Sequence, residues 1–109
     1  DIKKILWIYG SSDGHSSKET VKSLEKLNPK IILTKSRLPK AKSPINITKE
    51  LKNLNLDIIE LTNNSQEAFT KAKEIANAGD CIVAFGSLYI AAEFVELIKN
   101  IKPEYYIYE

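Results

Sequence analysis

The residues best suited to contact a small molecule lie in two turns, and each turn follows a predicted strand. Gly86, Ser87 and Tyr89 come directly after an apolar run at residues 81–85. Glycine lets a ligand approach the backbone closely, and a serine hydroxyl can cap the following helix or donate to a bound group. Because α/β sheets bind ligands beyond the carboxyl ends of their strands, this turn is the first candidate for a binding site.

The second turn, at residues 10–17, reads Gly-Ser-Ser-Asp-Gly-His-Ser-Ser and opens a predicted helix. It resembles a phosphate cradle, but it lacks the Gly-Lys-Ser ending of a P-loop and the third glycine of the dinucleotide motif. Ordinary capping and turn formation also explain its composition. His15 is the only histidine of the chain, so it can donate or carry a proton, but it makes neither a metal cluster nor a Ser-His-Asp set. We therefore predict no metal site and no complete catalytic set in these residues.

A basic loop follows the second predicted strand, and it contains Lys35, Arg37, Lys40 and Lys42 together with two prolines. These charges either face solvent or attract an anionic ligand. No aromatic residues are interleaved with them to stack on bases, and the net charge of the whole chain is only +2. We therefore predict no nucleic-acid partner.

Strands predicted near residues 3–9, 30–34, 57–61 and 81–86 alternate with helices predicted over 17–28, 44–54, 66–77 and 88–99. This alternation favours a three-layer, Rossmann-like α/β domain with a mainly parallel sheet. The strand at 81–86 shows no polar alternation, so we predict an interior position for it. We also expect the helix at 88–99, which is apolar on most sides, to be more buried than the others. Residues 105–108 form a candidate short C-terminal edge strand.

Composition sets further limits on the class of protein. A length of 109 residues with 43% hydrophobic content predicts a single domain, 1–109. The single cysteine, Cys81, is typical of a reducing compartment, and no apolar run approaches a membrane span. We therefore expect a cytoplasmic protein with no membrane partner. The chain contains no Met, which suggests a piece of a longer protein.

Two segments resemble a known family. Residues 80–93, with the turn Gly86-Ser87-Leu88-Tyr89, are similar to the closing strand, turn and helix of the C-terminal domain of folylpolyglutamate synthase/dihydrofolate synthase, in the Mur ligase superfamily. Residues 31–34, followed by Leu38-Pro39-Lys40-Ala41 and Pro44, resemble that family's strand, Pro-Arg-Ala loop and Pro-opened helix, with Lys40 in place of the usual Arg. The first turn along the chain, at residues 10–17, differs more from the family. The family has Asp-Lys-Asp after this strand, and the turn keeps one Asp but not the basic residue beside it. Aligning Asp13-Gly14-His15 with the family's Asp-Gly-Ala-His-Asn-Pro motif is rejected, because that motif lies one strand and one helix earlier.

The resemblance implies a ligase that uses ATP to form an acyl phosphate on a folate or pteroate carboxylate, which the amine of glutamate then attacks. This domain would close over an N-terminal ATPase domain of the same chain and present the amino-acid site. Gly86, Ser87 and Tyr89 would then bind substrate, and Asp13, His15 and Lys40 would make interdomain or anion contacts. ATP and Mg²⁺ would bind mainly outside these residues, which would contain no catalytic group and be inactive alone.

An alternative from another class remains open. The chain would then be a stand-alone doubly wound module that binds a phosphorylated small molecule through residues 10–17.

Overall fold

The computed structural model describes residues 4–100 and 102 as an α/β fold in which helices flank a four-stranded, all-parallel sheet. The strands are β1 (Ile5–Gly10), β2 (Lys30–Leu33), β3 (Asp57–Leu61) and β4 (Cys81–Gly86), in the order β3-β2-β1-β4. The predicted fold class and the parallel arrangement are therefore confirmed. The candidate strand at 105–108 lies outside the described residues.

The predicted interior position of β4 is wrong within the described sheet, where β4 pairs with β1 alone and forms an edge opposite β3. Ile82 and Ala84 pack on one face of the sheet and Phe85 on the other. Helices pack on both faces of such a sheet, so even an edge strand can be apolar on both of its sides. An apolar run thus indicates that both faces of a strand are packed against helices, but it does not indicate how many strands pair with it.

Two apolar cores separate the sheet from its helices. On one face, Leu6, Ile8 and Ile32 pack with residues of α3 (Ser65–Ile75) and α4 (Leu88–Lys99). On the other face, Tyr9, Ile31 and Leu33 pack with residues of α1 (Ser17–Val21) and α2 (Pro44–Leu51). These layers fix the ends of β1 and β2, from which the loops of the carboxyl edge begin.

The first helix is shorter than predicted. The α-helix ends at Val21, and a 3₁₀ helix continues it over Lys22–Leu27 before Asn28 adopts a left-handed conformation. The apolar residues Val21, Leu24 and Leu27 recur every third position, which is the period of a 3₁₀ helix. Residues three apart also lie on one face of an α-helix, so the spacing alone does not distinguish the two helices.

The remaining helices agree with the sequence more closely. α2 and α3 end at Leu51 and Ile75, two or three residues before their predicted ends, and α4 has the predicted bounds. Ser43 caps α2, with its hydroxyl accepting the Asn46 N–H. α4 is not the most buried helix, however, because Leu88, Val95 and Ile98 are 80%, 48% and 68% exposed. None of the described helices is long and apolar enough to span a membrane.

A buried carboxylate joins three elements on the α3/α4 side. Glu93 of α4 is 1% exposed and accepts the Ser65 hydroxyl at 2.7 Å and the Arg37 backbone N–H at 2.8 Å. The Arg37 guanidinium also pairs with Glu96 at 2.8 Å. The loop after β2 is thereby tied to the start of α3 and to the middle of α4.

Candidate functional site

The strand order creates a switch point between β1 and β4. The connection from β1 leads through α1 toward β2 on one side, whereas β4 enters the sheet on the opposite side of β1. Ligands of open α/β sheets bind at this position, beyond the carboxyl ends of the two diverging strands. Gly10 and Gly86, the last residues of β1 and β4, are partners in the sheet register here.

The two backbones meet at Gly10 and Gly86 without intervening side chains. Gly86 has a φ of +113°, and a Cβ placed on it would lie 2.0 Å from the Gly10 carbonyl oxygen. The Ser87 N–H donates to that same oxygen at 3.1 Å. Glycine is therefore required at position 86, both for the left-handed conformation and for the close approach. The result is that the turn into α4 begins directly beside the turn into α1.

A cavity of about 300 Å³ opens beyond this glycine pair. Its walls come from the end of β1, the loop at 11–16, α1 and the first turn of α4, and consist of Tyr9, Ser11, Ser12, His15, Thr20, Gly86, Ser87, Leu88 and Tyr89. None of these described lining residues is Asp, Glu, Lys or Arg. The cavity is therefore lined mainly by hydroxyl groups, two phenol rings and one imidazole, and the N-terminus of α4 borders it with the positive end of the helix dipole.

Ser87 has the geometry expected of an N-cap. Its Oγ accepts the Ile90 N–H at 3.2 Å, and its backbone is extended. A capping hydroxyl uses its oxygen as acceptor, so its proton can still be donated to another group. Capping and ligand contact are therefore compatible at this residue, which is half-buried at the cavity wall.

The structure brings some of the predicted site residues together and separates others. Gly86, Ser87 and Tyr89 share the cavity with His15, although the two turns are about 70 residues apart in sequence. Asp13 and Lys40 are exposed and do not line it. They are neighbours nonetheless, because the Asp13 N–H donates to the Lys40 carbonyl at 2.8 Å.

The loop at 11–16 is held by a charged pair behind it. Lys42 Nζ lies 2.6 Å from Glu50 Oε2 and donates to the His15 carbonyl at 2.6 Å. The other oxygen of Glu50 accepts the Ser17 N–H at 3.0 Å. Burial alone would raise the pKa of the Glu50 carboxyl, but the hydrogen bonds from Lys42 and Ser17 and the charge of Lys42 together lower it.

No family model, curated protein or solved structure matches this chain. The geometry of the described residues is accordingly the basis for assigning its site.

A larger concavity, of about 430 Å³, lies at the opposite end of the sheet beside Ile5, Trp7 and Leu27. It is more apolar, but it lies at the amino ends of the strands, where open α/β sheets do not place their ligands. The described residues also contain no group of three or more His, Cys, Asp or Glu that could hold a metal ion. The switch-point cavity is therefore the stronger candidate.

Part of the cavity wall was not predicted from the sequence. Tyr9 and Thr20 were not predicted as site residues, and Ser11 and Ser12 belonged only to the alternative site at residues 10–17, because a shared cavity depends on β1 lying next to β4. The Lys42–Glu50 pair was missed as well, since the basic loop gave no sign of which lysine would be buried. A partial signal existed in the first turn, where Ser11 and Ser12 follow the strand end Gly10 directly.

Proposed function

We propose that this chain is the amino-acid-binding domain of an ATP-dependent ligase of the folylpolyglutamate synthase/dihydrofolate synthase type, and that its switch-point cavity receives glutamate. The observation that carries the proposal is the position of the Gly86-Ser87-Leu88-Tyr89 turn, which forms one wall of this cavity. The turn that resembles the family's substrate contact thus lies where an α/β sheet binds its ligand.

The size and chemistry of the cavity suit one amino acid. A volume of about 300 Å³ lies at the lower end of the range of small-molecule sites, as expected for a ligand the size of one amino acid. The N-terminus of the 12-residue helix α4 favours a carboxylate. The serine and threonine hydroxyls and the imidazole of His15 supply donors and acceptors for the other polar groups.

The alternative, a module that binds a phosphorylated molecule through residues 10–17, is less favoured. α1 has only 5 residues, and its first amide, the Ser17 N–H, already donates to the carboxylate of Glu50. A phosphate would have to displace this negative charge or approach close to it, which is unfavourable.

ATP and Mg²⁺ would be bound elsewhere in the complete ligase. The described lining of the cavity offers no carboxylate to hold Mg²⁺, and its residues do not form a glycine-rich phosphate cradle. The work of this domain would be to bind and orient the amine of glutamate for attack on an acyl phosphate supplied by the rest of the enzyme. A ligase of this type would act in the cytoplasm.

The test is the steady-state kinetics of the full-length protein with ATP, dihydropteroate or a folate, and glutamate. We expect Ser87→Ala to raise the KM for glutamate by roughly tenfold, as for the loss of an unreplaced hydrogen bond. Ser43→Ala is the matched control, because Ser43 caps α2 with the same 3.2 Å separation between its Oγ and the capped nitrogen but does not line the cavity. Each variant should lose about 1 kcal/mol of helix-cap stability.

Two results would overturn the proposal. The absence of any glutamate adduct formed at the expense of ATP in the wild type would exclude the ligase reaction. Equal glutamate kinetics in Ser87→Ala and Ser43→Ala would reduce Ser87 to a cap and remove the observation on which the site is built.

A further inference from the structure

The cavity wall formed by the loop at 11–16 is fixed from outside by the segment at 40–42. The Asp13 N–H donates to the Lys40 carbonyl and the Lys42 N–H donates to the Ser11 carbonyl, each at 2.8 Å. Ser12 and Ala41 form an antiparallel bridge between these bonds. The loop therefore takes its backbone course from a segment that lies 27 or more residues further along the chain.

The side chain of Lys42 completes this attachment. It is 11% exposed, and its ammonium group reaches both the His15 carbonyl and Glu50. Because Glu50 also accepts the Ser17 N–H, the pair holds the loop at His15 and again at the first residue of α1. An ammonium that binds both a carboxylate and a carbonyl is bonded in a defined geometry, so it restrains both groups.

We propose that Lys42 is a positioning residue for the amino-acid site. It holds the cavity-facing loop in its binding shape through the His15 carbonyl, with Glu50 as its partner. This inference rests on the proposed function for the identity of the ligand, but the attachment itself can be measured without any ligand. Lys42 does not line the cavity, so its effect on binding must pass through the loop.

The first measurement is amide hydrogen exchange of the full-length protein, compared for peptides that cover residues 11–17 and 81–86. Lys42→Met retains the apolar stem of the side chain and removes its charge and donors. We expect at least about tenfold faster exchange at 11–17 and unchanged exchange at 81–86. Lys49→Met is the matched control, since it makes the same substitution at an exposed position of α2 and should leave both peptides unchanged.

The second measurement is glutamate kinetics of the same variants. Lys42→Met should raise the KM for glutamate about fivefold or more with a smaller change in kcat, and Lys42→Arg should recover part of the loss. Glu50→Gln keeps an acceptor for the Ser17 N–H, and it is the second variant if Lys42→Met does not fold. The double variant Lys42→Met/Glu50→Gln should raise the KM for glutamate no more than the more severe single variant does, because the two residues act as a unit.

The outcomes separate the two proposals. A wild-type protein that shows no response to glutamate overturns the proposed function and, with it, the role of Lys42 at a glutamate site. The positioning role alone is overturned if the wild type uses glutamate but Lys42→Met leaves the KM for glutamate unchanged. It is equally overturned if Lys42→Met leaves the hydrogen exchange at 11–17 unchanged. Faster exchange at 11–17 combined with a raised KM in Lys42→Met, and neither in Lys49→Met, supports it.

Discussion

Two turns meet at the switch point, and they are held in place by different means. The turn after β4 is fixed by its own backbone, through the left-handed Gly86, the Ser87 cap and the 12-residue helix that follows. The turn after β1 precedes an α-helix of only 5 residues, and it depends on bonds to the segment at 40–42 and to Glu50. One wall of the cavity is thus locally determined, whereas the other depends on residues far away in the sequence.

Because the two walls are held differently, they should tolerate different changes. A wall that is fixed by backbone conformation is sensitive to substitution of its glycine and insensitive to pH. A wall that is fixed by a charged pair responds to the ionisation of that pair. The following predictions test the distinction, from the largest expected effect to the smallest.

Gly86→Ala should destabilise the protein most. Its Cβ would lie 2.0 Å from the Gly10 carbonyl oxygen, which is backbone and cannot rotate away, and alanine also disfavours a φ of +113°. We expect a loss of about 3 kcal/mol or more in the free energy of unfolding, measured by urea denaturation. Gly14→Ala is the control, because Gly14 also has a positive φ, +88°, but nothing lies within 4 Å of its added Cβ. Gly14→Ala should lower the free energy of unfolding by only about 1 to 2 kcal/mol. Equal losses at the two positions would contradict the close approach of the Gly86 and Gly10 backbones.

Gly10→Ala should have an intermediate effect. Its Cβ would meet the Ile90 side chain at 2.7 Å and the Thr34 carbonyl oxygen at 3.0 Å, without any left-handed conformation. The nearest atom is the end of a side chain that can shift, so we expect a loss of about 1 to 3 kcal/mol. Adding Ile90→Val removes that terminal methyl and should recover part of the loss in a double-mutant cycle. Strict additivity of the two changes would show that Ile90 is not the obstacle.

Acidification should weaken the contacts that hold the turn after β1, and its effect on the free energy of unfolding should be the smallest of the three. The pKa of Glu50 is lowered in the folded protein from its ordinary value of 4.5, so its contribution is fully present above that value. The contribution is lost as the pH falls through the lower folded-state pKa. The free energy of unfolding of the wild type should therefore exceed that of Glu50→Gln by about 1 kcal/mol at pH 7, and this difference should shrink as the pH falls below about 4.5.

Glu74→Gln serves as the control for the acid titration, since Glu74 is exposed on α3. It should show no comparable convergence with wild type. A Glu50→Gln difference that is constant from pH 7 to pH 3 would mean that the ionised carboxylate does not stabilise this wall.

The fold was predictable to the extent that local patterns determine it. Apolar runs predicted β1, β2, β3 and β4, and Ser87 was expected to cap the following helix, as it does. The 3₁₀ helix at Lys22–Leu27 and the edge position of β4 were not predicted. Residues three apart share a face in both a 3₁₀ helix and an α-helix, and an apolar strand with both faces covered can be central or at an edge, so neither pattern distinguishes the two structures.

The candidate site was predictable only for the wall with local determinants. Gly86, Ser87 and Tyr89 follow one another after a strand, so their position at the carboxyl edge could be inferred from sequence. The contribution of Ser11, Ser12 and Thr20 depends on the β1–β4 pairing, and the burial of Lys42 depends on Glu50 of α2. Such contacts arise from long-range packing, which no local pattern encodes.

The buried carboxylate of Glu93 has a consequence for the order in which the chain can assemble. Its partners, Arg37 and Ser65, precede it by 56 and 28 residues. During synthesis from the N-terminus, the ribosome must release α4 before these two donors meet their acceptor. The loop after β2 and the start of α3 therefore lack this acceptor until α4 has been synthesised.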